Sequence, residues 1–110
     1  MLLTALRYSH QLLKEIVNEG DHVIDATMGN GNDTLFLAEL VGTTGQVYAF
    51  DIQEQALQNT RDKISDYSER TTLYLAGHET IEEKISADQP IKAAIFNLGY
   101  LPKSDKQIVT

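Results

Sequence analysis

Short apolar runs alternate with amphipathic segments of helix length along the chain, and this alternation most constrains the fold. We predict strands at residues 22–26, 46–52, 71–75 and 91–98. We predict helices at residues 33–41, 55–64 and 79–86, and a first helix from the apolar stripe of Leu6, Leu12, Leu13, Ile16 and Val17. Strands separated by such helices form parallel β-α-β units with right-handed crossovers. The pattern predicts an α/β fold with a Rossmann-like sheet in the order 3-2-1-4 and flanking helices.

Composition is that of one ordinary globular domain. The chain has 110 residues, of which 42% are hydrophobic and 23% are charged, and we treat residues 1–110 as a single domain. It contains no cysteine, which excludes disulfides, thiolate metal sites and cysteine nucleophiles. The net charge of −7 means that any bound nucleic acid must contact a local basic patch, another segment or another subunit.

The amino-terminal segment carries no predicted export or membrane signal. Arg7, His10, Lys14 and Glu15 interrupt its apolar residues, and no run of the sequence is long enough to span a bilayer. We therefore expect a cytoplasmic location.

The first motif follows the first predicted strand, where Asp25 precedes the loop of Gly29 and Gly31, and Asn32 or Asp33 caps the next helix. The two glycines permit a positive φ and let a ligand lie against bare backbone. Backbone N–H groups at the helix start suit a carboxylate, such as that of the methionine end of S-adenosylmethionine. Asp25 suits the ammonium group of the same end, directly or through water.

Other nucleotide-binding motifs fit this loop less well. A P-loop requires a Gly-Lys-Ser/Thr ending, which the chain lacks. A dinucleotide fingerprint requires a third glycine, where this chain has Thr34. A glycine turn without a ligand is the remaining alternative.

The second motif ends the second predicted strand with Asp51 and Ile52, about 20 residues beyond Gly31. A carboxylate at this place accepts hydrogen bonds from ribose hydroxyls, and Ile52 is placed to cover one face of an adenine. Alternatively, Asp51 caps the following helix.

The third motif follows the third predicted strand. His78 or Glu79 is placed to bind the adenine amino group, or Glu79 starts the short helix, where the helix dipole favours an acid. The histidines His10, His22 and His78 do not have the spacing of metal ligands, so we expect no metal site.

The fourth motif, at the end of the last predicted strand, contains Asn97, Leu98, Gly99 and Tyr100, followed by Leu101 and Pro102. The Asn97 amide oxygen and the Leu98 carbonyl can accept hydrogen bonds from a target amine and hold its lone pair towards a methyl group. Tyr100 can stack on the target ring. The alternative is an ordinary strand exit with a glycine turn and a packed tyrosine.

Together, residues 25–34, 50–53 and 96–102 resemble the family labelled putative rRNA methylase. This family includes bacterial tRNA methyltransferases that act on wobble 5-aminomethyl-2-thiouridine. The resemblance implies a class I methyltransferase fold, S-adenosylmethionine as cofactor, and an amine of RNA as substrate, with tRNA as the expected RNA. It also implies that the loop 97–102 is the catalytic loop. Carried over to this sequence, the cofactor positions are Asp25, Thr27, Gly29, Asn30, Gly31, Asp33, Thr34, Asp51, Gln53 and His78.

The resemblance leaves open how the fold ends and which of several functions the chain has. Family members continue beyond the equivalent of Thr110, so we expect the C-terminal part of the family fold to be absent and the fourth strand to be a bare edge. Such an edge predicts that the chain either forms a homodimer or is poorly stable. The competing functions are a non-catalytic S-adenosylmethionine-binding or dimerisation module and a small-molecule N-methyltransferase.

Overall fold

The sheet of the computed structural model has five strands, all parallel, in the order β1-β5-β2-β3-β4. The structure describes residues 5–6, 10–86 and 88–95, with side chains at all of these positions except 5, 6, 10 and 78. The strands are β1 (Ala5–Leu6), β2 (His22–Asp25), β3 (Gln46–Asp51), β4 (Thr71–Leu75) and β5 (Ala93–Ile95). The last four are the predicted strands, and their order, β4-β3-β2-β5, confirms the predicted order 3-2-1-4.

The helices fall between these strands. They are α1 (His10–Ile16), α2 (Asn32–Val41), α3 (Glu54–Lys63) and α4 (Ile81–Lys84), with 3-10 turns at Ser65–Arg70 and His78–Thr80. Each predicted helix is present, although the last one is shorter than residues 79–86 because its first turn is a separate 3-10 turn.

Apolar side chains alternate between the two faces of the central strand β2 because successive side chains of a strand point to opposite sides. Val23 packs with α1 and α2 in a cluster that includes Leu13 and Leu37. Ile24 packs on the other face with Phe50 and with Ile81 of α4. Helices on both faces thus bury the sheet and leave the carboxyl ends of its strands at one edge.

The expectation of a bare edge at the fourth strand is wrong over the residues that the structure describes. Ala5 pairs with Ala94, and Leu6 pairs with Ile95, so β1 occupies the outer edge of β5. Leu6 consequently belongs to a strand and not to the stripe of the first helix, which begins at His10. Pairing with an open strand edge outweighs the helical spacing of a single leucine.

The cap of α2 also differs from the prediction. Its N-cap residue is Gly31, with no side-chain capping bond, in place of Asn32 or Asp33. Gly31 has a φ of 90°, and both predicted capping residues already belong to the helix. The loop geometry set by glycine therefore fixes where the helix begins.

Candidate functional site

A cavity of about 490 Å³ opens at the carboxyl ends of β2, β3 and β4. Four segments contribute its lining: the loop after β2, the end of β3, the start of α3 and the loop after β4. The lining residues are Ala26, Thr27, Gly29, Asn30, Asp51, Ile52, Gln53, Gln55, Ala56, Asn59, Ala76, Gly77 and Glu79. Its volume lies within the range of small-molecule and cofactor sites.

Asp51 joins two of these segments. The Gly29 N–H donates to its Oδ2 at 3.1 Å, and the Gln53 N–H donates to its Oδ1 at 2.9 Å. Asp51 is not the cap of α3, because the N-cap residue is Gln53 and no side chain caps that helix. The helix-cap alternative for Asp51 is therefore wrong. A carboxylate has about four acceptor positions, so two backbone donors leave capacity for further hydrogen bonds.

The glycine loop fits the site only with glycine at two positions. Gly29 and Gly31 have φ values of 52° and 90°, in the left-handed region that other residues rarely adopt. A Cβ added to Gly31 would lie 2.8 Å from the Cα of Thr60, whereas one added to Gly29 would have no atom within 4 Å. Gly31 therefore permits close packing against α3, and Gly29 leaves open space.

Asp25 lies beneath this loop and is fully buried. The Thr34 hydroxyl donates to its Oδ2 at 2.7 Å, and the Thr27 N–H donates to its Oδ1 at 3.3 Å. Burial raises the pKa of Asp25 from 3.8 to about 7, and the nearby carboxylates of Asp33 and Asp51 add to this increase. The two hydrogen bonds oppose the increase without cancelling it.

The cavity brings together seven of the residues that the sequence predicts as cofactor ligands: Thr27, Gly29, Asn30, Asp51, Ile52, Gln53 and Glu79. Four others, Asp25, Gly31, Asp33 and Thr34, do not line it and are themselves buried. Asp25 and Thr34 form a hydrogen-bonded pair under the loop, which is a supporting position. Contact between these residues and a cofactor stays a prediction.

Glu79 lies in the 3-10 turn His78–Thr80, before α4, whose N-cap residue is Thr80. It therefore does not start the α-helix and is exposed at the cavity. The side chains of His78 and His10, and the predicted catalytic residues Asn97, Leu98, Gly99 and Tyr100, lie outside the part of the chain that the structure describes.

Sequence reasoning missed the contribution of α3. Gln55 and Asn59 line the cavity one helical turn apart, and Thr60 contacts the glycine loop from below. The spacing of polar residues on the side of α3 next to the loop is a signal that could have identified them. Ala26, Ala76 and Gly77 also line the cavity. They lie within the predicted first and third motifs, but no ligand contact was assigned to them.

Sequence similarity to known proteins shows the family to which the chain belongs. The family model described as "Putative rRNA methylase" matches residues 47–110. The chain is 36% identical to an Arabidopsis thaliana protein named tRNA (mnm(5)s(2)U34)-methyltransferase, chloroplastic, over 96% of this chain and 42% of that protein. The chain belongs to the rRNA methylase family.

Two solved structures support the family assignment. The structure of a putative rRNA-methylase from Clostridium thermocellum is 49% identical, with a TM-score of 0.78, over 89% of this chain and 55% of that one. A putative methyltransferase from Streptococcus mutans, solved in complex with SAH (S-adenosylhomocysteine), is 47% identical, with a TM-score of 0.72, over 92% and 54% of the two chains. The chain thus spans about half the length of these family members, and the shared sheet is that of class I methyltransferases.

The described residues show neither a metal-binding cluster nor a membrane-spanning helix. No group of three or more potential ligand side chains that could hold a metal ion occurs among them. Within the same residues, none of the helices has the length and apolar character needed to cross a membrane.

The buried carboxyl group predicts a pH dependence of stability. Because the pKa of Asp25 is raised in the folded chain, the folded state retains a proton that the unfolded state has lost between pH 4 and pH 7. The free energy of unfolding of the ligand-free chain should fall as pH rises through this window and level off above about pH 7. Asp25→Asn should flatten this slope, as measured by urea denaturation at several pH values.

The control for this measurement is Glu39→Gln, which removes an exposed carboxyl group from α2. It should leave the slope of the wild-type chain unchanged. An Asp25→Asn chain that keeps the full wild-type slope between pH 4 and pH 7 would contradict the assignment.

Proposed function

We propose that this chain carries the S-adenosylmethionine site of a methyltransferase and takes part in methyl transfer to an amine of RNA. The single observation that carries the cofactor assignment is the position of Asp51. Its carboxylate lies at the end of β3, lines the cavity and is bonded to the loop that follows β2. A carboxylate at the end of this strand is placed to accept hydrogen bonds from both hydroxyls of a ribose.

The charge around the glycine loop favours this cofactor over a nucleotide with a pyrophosphate. Asp25, Asp33 and Asp51 lie close enough together for each of the other two to raise the pKa of Asp25. Among the described residues that line the cavity there is no Lys or Arg. A pyrophosphate would meet these carboxylates without a compensating cation, whereas the sulfonium and ammonium groups of S-adenosylmethionine carry positive charge.

The other end of the cavity suits an adenine ring. Ile52 is 73% exposed, which is unusual for a large apolar side chain at the end of a buried strand, and it lines the cavity with Ala76 and Gly77. Stacking of a flat ring on Ile52 would remove this apolar surface from water. Glu79 lies on the same side and offers an acceptor for the adenine amino group.

The RNA substrate is proposed from the relatives and from the predicted catalytic loop. The Arabidopsis relative is named for a methyl transfer to a modified uridine of tRNA. In this chain, Asn97 and Leu98 would hold the amine, Gly99 would allow the bend, and Tyr100 would stack on the base. We propose the same class of substrate, an amine on tRNA, and a cytoplasmic location for the reaction.

Binding and transfer are tested separately. Calorimetric titration with S-adenosylmethionine, with NAD and ATP as matched nucleotides, tests the cofactor. Methyl transfer to bulk tRNA from cells that lack the activity tests the substrate. Binding of S-adenosylmethionine without transfer to tRNA would favour the binding module or the small-molecule N-methyltransferase, and binding of NAD alone would refute the proposal.

Asp51→Asn should weaken the binding of SAH. The substitution removes the negative charge and replaces one acceptor oxygen with a donor, so at least one charged hydrogen bond is lost, worth roughly 1.5–3 kcal/mol. Calorimetry should therefore show an affinity lower by about tenfold or more. The matched control is Glu54→Gln, three positions along, which changes an exposed acid that does not line the cavity. Equal affinities of the wild type and Asp51→Asn would show that Asp51 has no ligand contact.

Asn97→Ala should lower kcat for tRNA methylation strongly while the Kd for the cofactor changes little, because orientation of the amine acts on the transition state. Tyr100→Ala should act mainly on the RNA substrate, since a stacked base contributes about 1–3 kcal/mol. Steady-state kinetics in parallel with calorimetry separates these effects. If Asn97→Ala abolishes cofactor binding and leaves turnover of the bound fraction unchanged, the amine-orienting role is withdrawn.

A further inference from the structure

Helix α3 holds the glycine loop through a buried threonine. Thr60 is fully buried, and its hydroxyl donates to the carbonyl oxygen of Gly29 at 3.1 Å. The N–H of the same glycine donates to Asp51 at 3.1 Å. Both polar groups of Gly29 are therefore fixed, one by each of two neighbouring elements. The backbone of Thr60 also lies against Gly31, at a distance that leaves no room for a Cβ there.

Two further side chains of α3 donate to the segment that contains the glycine loop and the first residue of α2. Asn59 Nδ2 donates to Asn30 Oδ1 at 3.1 Å, and Lys63 Nζ donates to Asn32 Oδ1 at 2.6 Å. Together with Thr60, three side chains of α3 thus donate hydrogen bonds to two oxygen atoms of the loop and one at the start of α2. No motif of the chain contains these donors, and the family resemblance assigns none of them.

These hydrogen bonds fix which way the amide group of Asn30 is oriented. Gln55 Nε2 donates to Asn59 Oδ1 at 2.9 Å, so the NH₂ group of Asn59 is turned towards Asn30. Asn30 accepts that bond with its side-chain oxygen. The NH₂ group of Asn30 makes no hydrogen bond to the described residues and is available as a donor. Asn30 lines the cavity. The row of amides therefore presents a donor to the ligand site.

We propose that Asn59 and Thr60 are positioning residues for the amino-acid end of the cofactor. They bind the oxygen atoms of the glycine loop, so that the Asn30 amide faces the cavity as a donor to the cofactor carboxylate. This inference rests on the proposed S-adenosylmethionine site and adds the helix that sets its preference for a carboxylate. A donor suits this group because Asp33 and Asp51 lie near the loop, and their carboxylates would repel a bound carboxylate.

Two related ligands distinguish an effect on the amino-acid end of the cofactor from an effect on the whole site. SAH and 5′-methylthioadenosine share the adenosine and the thioether, but only SAH carries the amino-acid end. The affinities of the 110-residue chain are measured by calorimetry for SAH and by competition for 5′-methylthioadenosine. Thr60→Val and Asn59→Ala should each lower SAH affinity about three- to tenfold, the worth of one net hydrogen bond. The affinity for 5′-methylthioadenosine should stay within twofold.

Three variants control the measurement. Thr60→Ser keeps the hydroxyl donor and should retain the wild-type preference for SAH. Gln58→Ala changes an exposed residue of the same helix that does not line the cavity, and should change neither affinity. Should Thr60→Val fail to fold by circular dichroism, Asn59→Ala decides the outcome, because Asn59 is only half-buried.

The outcomes separate this inference from the function on which it rests. If the wild-type chain binds neither ligand, the proposed cofactor site is refuted. If the wild type binds SAH but Asn59→Ala leaves its affinity unchanged, or lowers both affinities in parallel, the positioning role is refuted and the cofactor site stands. A loss of affinity for SAH alone supports both the cofactor site and the positioning role of Asn59 and Thr60.

Discussion

The hydrogen bond from the Gly29 N–H to the Asp51 carboxylate joins the ends of two adjacent parallel strands. Parallel pairing brings these ends to the same edge of the sheet, but it does not by itself connect the loops that follow them. Asp51 makes that connection, and its second oxygen holds the turn into α3. The shape of the cavity depends on this carboxylate together with the hydrogen bonds from α3 to the glycine loop.

Beneath that connection, the chain keeps a charge-bearing group in its core at a cost in stability. Asp25 is fully buried and has a pKa of about 7, so its hydrogen bonds do not fully offset the cost of removing a carboxylate from water. Thr34 and the Thr27 N–H satisfy its oxygens in part. The proton that Asp25 retains in the folded state is therefore the physical origin of the expected pH dependence of stability.

The sequence was sufficient for the sheet because strand order follows from local rules. Apolar runs, helix-length crossovers and strand-end acids predict the order of β4, β3, β2 and β5, and they bring Asp51 to the glycine loop. The pairing of β1 with β5 could not be predicted, since two residues carry no periodicity and their partner is about 90 positions away. The role of α3 was missed for a different reason. The polar spacing of Asn59 and Thr60 marks one side of the helix, but only the folded contact shows that this side lies against the glycine loop.

The central claim is that Asp51 and the glycine loop form one ligand site, and a crystal structure of the chain with SAH tests it most directly. The account predicts that both ribose hydroxyls lie within hydrogen-bond distance of the Asp51 carboxylate and that the amino-acid end lies against Gly29 and Asn30. A ligand bound elsewhere, or one that turns its ribose away from Asp51, would contradict the account.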